Sequence, residues 1–197
     1  MEKNKTIISL EGPWAAGKTT ILKELRKTGL DVFSSVVPTI YEINGKGDYS
    51  PRKDAEEFTK MFLKLKEDQL DKAIMSDSNI LLFDRVFFAP IVLRKFLDLD
   101  VPGQFYDLAK NENICKTVFL IESIPLDKHL HGWPRKHFSY EESLRYYKIT
   151  EDVIYQLGFQ AIKIPYSESV KERVEEVLKQ INKIQTNNNL IQKGNKL

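Results

Sequence analysis

The sequence predicts an α/β fold in which helices cover both faces of a parallel β-sheet. Short apolar runs typical of strands alternate along the chain with longer segments of helical period. Residues 80–83 are apolar at every position and have polar neighbours, which is the profile of a strand buried on both faces. A glycine-rich loop also separates the first strand from the first helix.

Local signals set the elements of the first half of the chain. The first helix ends at Gly29, because glycine readily takes the left-handed C-cap conformation. Pro38 ends the second strand, and Pro51 opens a long helix with acids in its first turns. The predicted elements are, in order, strand 6–10, helix 18–27, strand 31–37, loop 39–49, helix 51–75 and strand 80–83.

The second half continues the alternation. Pro102 starts one helix, and Ser139 with Glu142 forms a capping box at the start of another. From Gln185 onward the apolar period is lost, so we expect one domain over residues 1–184 and a flexible tail over 185–197. The predicted elements are helices 88–96 and 103–111, strand 117–121, helix 139–156, strand 161–164 and helix 170–181.

Composition and charge restrict the class of partner. The chain has 197 residues, of which 42% are hydrophobic, enough for one sizeable core. Its formal net charge is +2, so nucleic acid and anionic membranes are not expected partners, whereas small anionic ligands can still bind through locally placed charges. The single cysteine, Cys115, excludes an intramolecular disulfide and predicts a core thiol. With no signal-peptide core before the first strand, we expect a cytoplasmic protein.

The glycine-rich loop has the spacing G-x-x-x-x-G-K-T of a nucleotide phosphate-binding loop. Its two glycines let backbone N–H groups converge on one anion, and the following helix adds its positive end. Lys18 supplies a charge for the β- and γ-phosphates, and the Thr19 hydroxyl can ligate Mg²⁺. The predicted nucleotide-binding residues are Gly12, Pro13, Trp14, Ala15, Ala16, Gly17, Lys18, Thr19 and Thr20.

An acid and an arginine follow the strand over residues 80–83. Parallel α/β sheets bind ligands at the carboxyl ends of their strands, so Asp84 and Arg85 are expected beside the phosphate loop. We predict that Asp84 holds Mg²⁺ and that Arg85 contacts phosphate oxygens. The alternative is a salt bridge that only terminates the strand. Glu11, directly before the loop, lies near the substrate or orients Arg85, and its role is left open.

A basic segment precedes the helix that begins at Ser139. We interpret residues 126–138 as a lid that closes over the transferred phosphoryl group, with Arg135 as its catalytic residue and Lys136 and Arg145 behind it. A solvated loop is the alternative. The three histidines of this segment lack carboxylate or thiol partners at ligand spacing, so a structural zinc site is not expected.

Several aromatic residues flank the expected acceptor crevice. They could sandwich a planar base, although aromatic residues at helical spacing also form cores. The candidates are Trp14, Tyr41, Phe87, Phe88 and Tyr106.

With these motifs in this order, the sequence resembles the nucleoside and nucleotide kinase group of P-loop proteins. The form of the loop around Gly12 is similar to that of deoxyribonucleoside kinases, and Asp84-Arg85 is similar to a motif of thymidylate kinases. The resemblance implies a three-layer P-loop kinase fold with a five-stranded parallel sheet of order 2-3-1-4-5. It also implies ATP as phosphoryl donor and Mg²⁺ as cofactor, and it leaves a homodimer open.

The chain departs from both branches. Deoxyribonucleoside kinases carry a glutamate after the second strand as general base, whereas here Thr39 follows Pro38 and Glu42 is the nearest acid. Thymidylate kinases carry an acid inside the loop, where this chain has Trp14. Since a monophosphate acceptor is already ionised and needs no base, the departures favour a nucleotide over a nucleoside.

Other functions remain open at this stage. The acceptor could be another small hydroxylated metabolite, such as a ribosylated cofactor precursor or an antibiotic, in a pocket shaped by residues 39–50 and 51–75. A nucleotide-dependent regulator that hydrolyses ATP slowly is a further alternative. A nucleic-acid-dependent ATPase is disfavoured, because the chain has no basic stripe. Guanine selectivity is also unsupported, since no Asn-Lys-x-Asp run occurs.

Overall fold

The computed structural model describes residues 5–44, 51–110, 117–129 and 138–194. Strands and helices alternate, as predicted. The strands are β1 (Thr6–Glu11), β2 (Asp31–Phe33), β3 (Ile80–Asp84), β4 (Thr117–Ile121) and β5 (Gln160–Ile164). The helices are α1 (Lys18–Lys27), α2 (Val37–Ile43), α3 (Ala55–Ile74), α4 (Ala89–Phe96), α5 (Gly103–Ala109), α6 (Leu126–His129), α7 (Tyr140–Gln156) and α8 (Val170–Gly194).

The five strands form one parallel sheet of order β2-β3-β1-β4-β5. The register pairs Leu10 of β1 with Asp84 of β3, and Glu11 of β1 with Leu120 of β4. The carboxyl ends of β1 and β3 therefore lie side by side. The predicted fold class and strand order are confirmed.

Alternate side chains of the central strands enter cores on opposite faces of the sheet. Leu81 and Phe83 of β3 pack in the core beneath α4, α5 and α7. Ile80 and Leu82 pack on the other face, in the core formed with α1 and α8. β3 is buried at every position, as predicted for a strand covered on both faces.

The segment after β2 is helical, where the sequence analysis predicts a longer strand and then a loop. β2 ends at Phe33, and α2 begins at Val37 with Pro38 in its first turn. Proline is tolerated in the first turn, because the N–H group it lacks would have no helical acceptor there. Pro38 therefore marks a helix start, and the prediction of a loop over residues 39–49 is wrong for residues 39–43.

Two further helix boundaries differ from the prediction. α3 begins at Ala55, four residues after Pro51, because the Asp54 carboxylate caps it by accepting a 2.9 Å hydrogen bond from the Glu57 N–H. α8 continues to Gly194, past Gln185, where the periodic part was expected to end. The polar run after Gln185 contains neither glycine nor proline before Gly194, so nothing local ends the helix. The division into domain and tail stays a prediction.

The capping box at Ser139 is formed as predicted. The Ser139 hydroxyl accepts from the Glu142 N–H at 3.1 Å, and the Glu142 carboxylate accepts from the Ser139 N–H at 2.8 Å. Cys115 lies outside the described residues. Within the described ranges, no helix is both long enough and apolar enough to cross a bilayer.

Candidate functional site

The loop between β1 and α1 is wound so that only particular residue types fit. Gly12, Ala15 and Gly17 have φ values of 137°, 62° and 82°, and alternation of left-handed residues with others turns backbone N–H groups toward one point. A Cβ on Gly12 would lie 2.5 Å from the backbone oxygen of Ile121 on β4. Glycine is therefore required at position 12 for packing as well as for φ.

Lys18 lies against the loop that precedes it. Its Nζ donates hydrogen bonds to the carbonyl oxygens of Gly12, at 3.0 Å, and Pro13, at 2.6 Å. Burial, together with the Arg85 guanidinium, lowers the pKa of Lys18 to about 7. An incoming anion would favour the charged form of this amine.

Arg173, on α8, contacts the phosphate loop from outside. Its Nη2 donates a 2.6 Å hydrogen bond to the Ala16 carbonyl oxygen, and a Cβ on Gly17 would lie 2.9 Å from its Nη1. The sequence analysis does not identify this residue. The sequence feature that could have identified Arg173 is its position as a charged residue on the apolar face of α8, between Val170 and Val174.

Asp84 and Arg85 lie beside the loop at the carboxyl end of β3, as expected from the sheet topology. The backbone N–H of Arg85 donates to the Leu10 carbonyl at 3.2 Å, and Arg85 takes a left-handed φ of 62°. Its Nη2 donates to the Gly12 carbonyl at 3.3 Å, and its guanidinium lies 5.4 Å from the Tyr146 ring centre. Asp84 Oδ1 and Arg85 Nε are buried without a hydrogen-bond partner among the described residues.

Glu11 is bonded to the backbone that follows Arg85. Its carboxylate accepts from the Ser9 hydroxyl at 2.6 Å and from the Val86 N–H at 3.1 Å. Burial raises the pKa of Glu11 to about 7, against the opposing effects of Arg85 and Ser9. Of the two roles left open, these bonds favour that of an orienter of the turn that carries Arg85.

One cavity of about 980 Å³ joins the phosphate loop to the Asp84-Arg85 turn. Lys18, Thr19, Asp84 and Arg85 line one part of it. The other part is mostly apolar and is formed by α2, α3 and α4, with residues Val37, Pro38, Tyr41, Glu42, Phe58, Thr59, Phe62, Ala89, Pro90 and Leu93.

The aromatic lining differs from the predicted set. Trp14 and Tyr41 line the cavity, but Phe87 and Phe88 are buried in the core and Tyr106 packs against it. For these three residues the structure supports the alternative left open by the sequence, a place in or against the core, since a buried aromatic has the same spacing as one that faces a ligand. The aromatic residues that line the cavity and were not predicted are Phe58, Phe62, Phe138 and Tyr146.

Little of the predicted lid can be compared with the structure. Arg135, Lys136 and the segment over 130–137 lie outside the described residues. Arg145 does not line the cavity, and its Nη2 forms a 2.5 Å ion pair with Asp98 at the protein surface. Its predicted place behind the lid is therefore not supported by its contacts.

The residues predicted for magnesium share a small cavity of about 50 Å³. Thr19, whose side chain carries a hydroxyl, and Asp84, whose side chain carries a carboxylate, both line it, and so do the basic residues Lys23 and Arg26. Hydroxyl and carboxylate oxygens are ligands that Mg²⁺ accepts, and it retains several waters in such sites. Asp84 Oδ1 is buried and has no hydrogen-bond partner among the described residues, so this oxygen is free to bind a cation. The oxygen atoms of Thr19 and Asp84 therefore fit Mg²⁺.

The strand order β2-β3-β1-β4-β5, with a phosphate loop after β1, is the arrangement of the P-loop nucleoside and nucleotide kinases, and this chain has their fold. A family model described as an AAA domain matches residues 7–173, and the protein belongs to that family. No curated protein matches the chain in sequence.

Solved structures with this fold include two kinases that the chain spans over all or nearly all of their length. Deoxyadenosine kinase of M. mycoides, with products dCMP and a flexible dCDP bound, has a TM-score of 0.60 and 19% identity over 90% of this chain and 100% of that one. Thymidylate kinase of Ehrlichia chaffeensis has a TM-score of 0.63 and 16% identity over 90% and 99%. NadR in complex with NR has a TM-score of 0.64 and 12% identity over 91% of this chain and 50% of that one.

Proposed function

We propose that the protein is an ATP-dependent phosphotransferase that acts on a nucleoside monophosphate or a nucleoside. The observation that carries the proposal is the single cavity that joins the phosphate loop, the Asp84-Arg85 turn and an apolar, aromatic-walled compartment. The charged part suits a polyphosphate, and the apolar part suits a planar base with its sugar.

An enzyme accelerates phosphoryl transfer mainly by positioning the two substrates and compensating the charge on the phosphate oxygens, and needs little covalent chemistry of its own. In the proposed reaction the acceptor oxygen attacks the γ-phosphorus of ATP, and the bond from that phosphorus to the β–γ bridging oxygen breaks. The electron pair leaves with ADP. The loop N–H groups and Lys18 would hold the β- and γ-phosphates.

The remaining roles belong to residues at the same end of the sheet. Thr19 and Asp84 would hold Mg²⁺, which when bound neutralises charge on the phosphate oxygens. Arg85, which lines the cavity, would contact the acceptor or the transferred phosphoryl group through its guanidinium. Arg135 remains a predicted catalytic residue of the lid. A cytoplasmic location and a homodimer also stay predictions.

Glu42 bears on the choice of acceptor. The sequence analysis favours a nucleotide because no general base follows β2, yet the helix α2 places Glu42 in the cavity lining. A nucleoside hydroxyl would need such a base, whereas an ionised monophosphate would not. Glu42→Gln should therefore reduce turnover of a nucleoside by about 100-fold and leave turnover of a monophosphate unchanged.

The test is a screen for acceptor-dependent ADP release. ATP, Mg²⁺ and the protein are mixed with nucleosides, nucleoside monophosphates and other hydroxylated metabolites in turn. We expect one class of acceptor to stimulate ADP release, and Lys18→Ala to abolish it. Lys27→Ala is the matched control, since Lys27 is exposed on the same helix and forms a surface ion pair with Glu24. Slow ADP release that no acceptor stimulates would instead indicate a nucleotide-dependent regulator.

A further inference from the structure

One buried lysine, Lys66 on α3, does not line the cavity and has no role in the reaction proposed above. The side chain of Lys66, on α3, is fully buried, which is rare for lysine. Its Nζ donates a 2.7 Å hydrogen bond to the backbone carbonyl oxygen of Asp84 and a 3.0 Å bond to Gln69 Oε1. Neither acceptor is a carboxylate, so among the described residues the hydrogen bonds of Lys66 differ from those of an ordinary buried ion pair.

The two bonds are part of a longer chain of contacts. Gln69 accepts from Lys66 and donates from its Nε2 to the Ser34 carbonyl oxygen at 2.8 Å. Ser34 follows β2, and Asp84 ends β3, the neighbouring strand. Through Lys66 and Gln69, helix α3 is therefore tied to the carboxyl ends of two adjacent strands.

The carbonyl that Lys66 binds belongs to the peptide that joins Asp84 to Arg85. Arg85 has a φ of 62°, a left-handed conformation that is unfavourable for a residue with a side chain. It persists only where neighbouring contacts hold the peptide in that orientation. On one side of Arg85 the Asp84 carbonyl accepts from Lys66, and on the other the Val86 N–H donates to Glu11.

The same face of α3 also forms the apolar wall of the cavity. Phe58, Phe62 and Lys66 recur at intervals of four residues, which places them on one side of the helix. The two phenylalanines line the cavity, and Lys66 lies one turn further along, with its Nζ 5.7 Å from the Phe62 ring centre. Lys66 thus links α3, which forms the apolar wall of the cavity, to the turn that bears Asp84 and Arg85.

We propose that Lys66 is a positioning residue that holds the Asp84-Arg85 peptide in its left-handed turn, so that the Asp84 carboxylate and the Arg85 guanidinium face the cavity. The inference rests on the proposed function for the roles of those two side chains. It assigns Lys66 no contact with ATP or with the acceptor.

The experiment measures ATP binding by titration calorimetry with and without Mg²⁺, and then steady-state turnover. Lys66→Met removes the donors and keeps the length and burial of the side chain. Lys64→Met is the matched control, because Lys64 is exposed on the same helix. Gln69→Leu keeps the lysine and removes its second partner and the bond to Ser34. Asp84→Asn shows how much of the effect of Mg²⁺ on ATP affinity disappears when the carboxylate is removed completely.

In wild-type protein and Lys64→Met we expect Mg²⁺ to tighten ATP binding. We define the gain from Mg²⁺ as the factor by which Mg²⁺ lowers the Kd for ATP. In Lys66→Met we expect metal-free ATP to bind as in wild type, while this gain falls about tenfold, toward the value for Asp84→Asn. We also expect kcat to fall about tenfold, because the two side chains lose their positions, and KM for Mg²⁺-ATP to rise by about the same tenfold that is lost in Mg²⁺-dependent affinity. Gln69→Leu should give a smaller change in the same direction.

The outcomes separate the inference from the proposed function. If Lys66→Met keeps the full gain from Mg²⁺, or if wild-type protein shows no gain, the inference is overturned. If the gain is lost in Lys66→Met but no acceptor stimulates wild-type ADP release, the inference holds and the proposed function fails. Should Lys66→Met lack a cooperative thermal transition, Gln69→Leu decides: an unchanged gain from Mg²⁺ in that variant overturns the inference.

Discussion

Arg173 donates a 2.6 Å hydrogen bond from its Nη2 to the carbonyl oxygen of Ala16, which joins the last helix to the phosphate loop. The two residues are 157 positions apart in the sequence. Arg173 is 5% exposed and its guanidinium lies 5.9 Å from the Tyr166 ring centre, so its position is fixed by packing. The last helix therefore contributes to the shape of the proposed nucleotide site.

Replacement of Arg173 should weaken nucleotide binding without loss of the fold. Arg173→Met removes the donor to Ala16 and a buried positive charge next to the loop. We expect the Kd for ATP to rise about tenfold, the effect of one charge-assisted hydrogen bond. Calorimetric titration measures it, and Lys171→Met, at an exposed neighbour, is the control. Equal affinity of Arg173→Met and wild type would show that the contact has no role in binding.

Two glycines with left-handed φ should differ sharply in their tolerance of alanine. Gly12→Ala would place a Cβ 2.5 Å from the Ile121 backbone oxygen, whereas Gly29→Ala meets nothing within 4 Å. Backbone conformation and collision together should lower the free energy of unfolding by about 3 kcal/mol at position 12. At position 29 the conformational cost alone should lower it by about 1 kcal/mol. Urea denaturation measures both, and equal losses would contradict the geometry described for the loop.

ATP binding should be accompanied by proton uptake near neutral pH. Burial lowers the pKa of Lys18 to about 7, so a large fraction of this amine is neutral in the free protein at pH 8. A polyphosphate beside it would raise that pKa, and Lys18 would take up a proton. The affinity for ATP should therefore fall as pH rises above about 7.

The measurement is calorimetry at pH 8 in HEPES and in Tris buffer, which have different ionisation enthalpies and supply no competing phosphate. Heats that differ between the buffers give the number of protons taken up. Glu11, whose pKa is raised to about 7, would add uptake of the same sign. Glu11→Gln should therefore reduce the uptake and keep the part that is due to Lys18. Identical heats in both buffers for wild type would contradict the prediction.

The sheet, the phosphate loop and the Asp84-Arg85 turn were predictable because local patterns encode them. The alternation of strands with helices determines a parallel sheet, and residues that follow β1 and β3 must meet at its carboxyl edge. Helix α2 was not predicted because proline occurs both at the end of a strand and in the first turn of a helix, and Pro38 was assigned to the first case although it belongs to the second.

The contacts made by Arg173 and Lys66 could not be predicted in the same way. Arg173 bonds to a residue 157 positions away, and Lys66 to one 18 positions away on the next strand. The partner in each case is a backbone carbonyl, which every residue carries. A buried charge on an apolar helix face marks such residues as unusual, but it does not identify the partner. Only the packing of α3 and α8 against the sheet supplies that information.

The central claim is that the loop from Gly12 to Thr20 binds the phosphates of ATP, and its most direct test is a titration of Mg²⁺-ATP into folded protein. The account predicts saturable heat at one site per chain, and no heat for Lys18→Ala with an unchanged circular dichroism spectrum. Absence of heat in well-folded wild-type protein, or equal heat in Lys18→Ala, would contradict it.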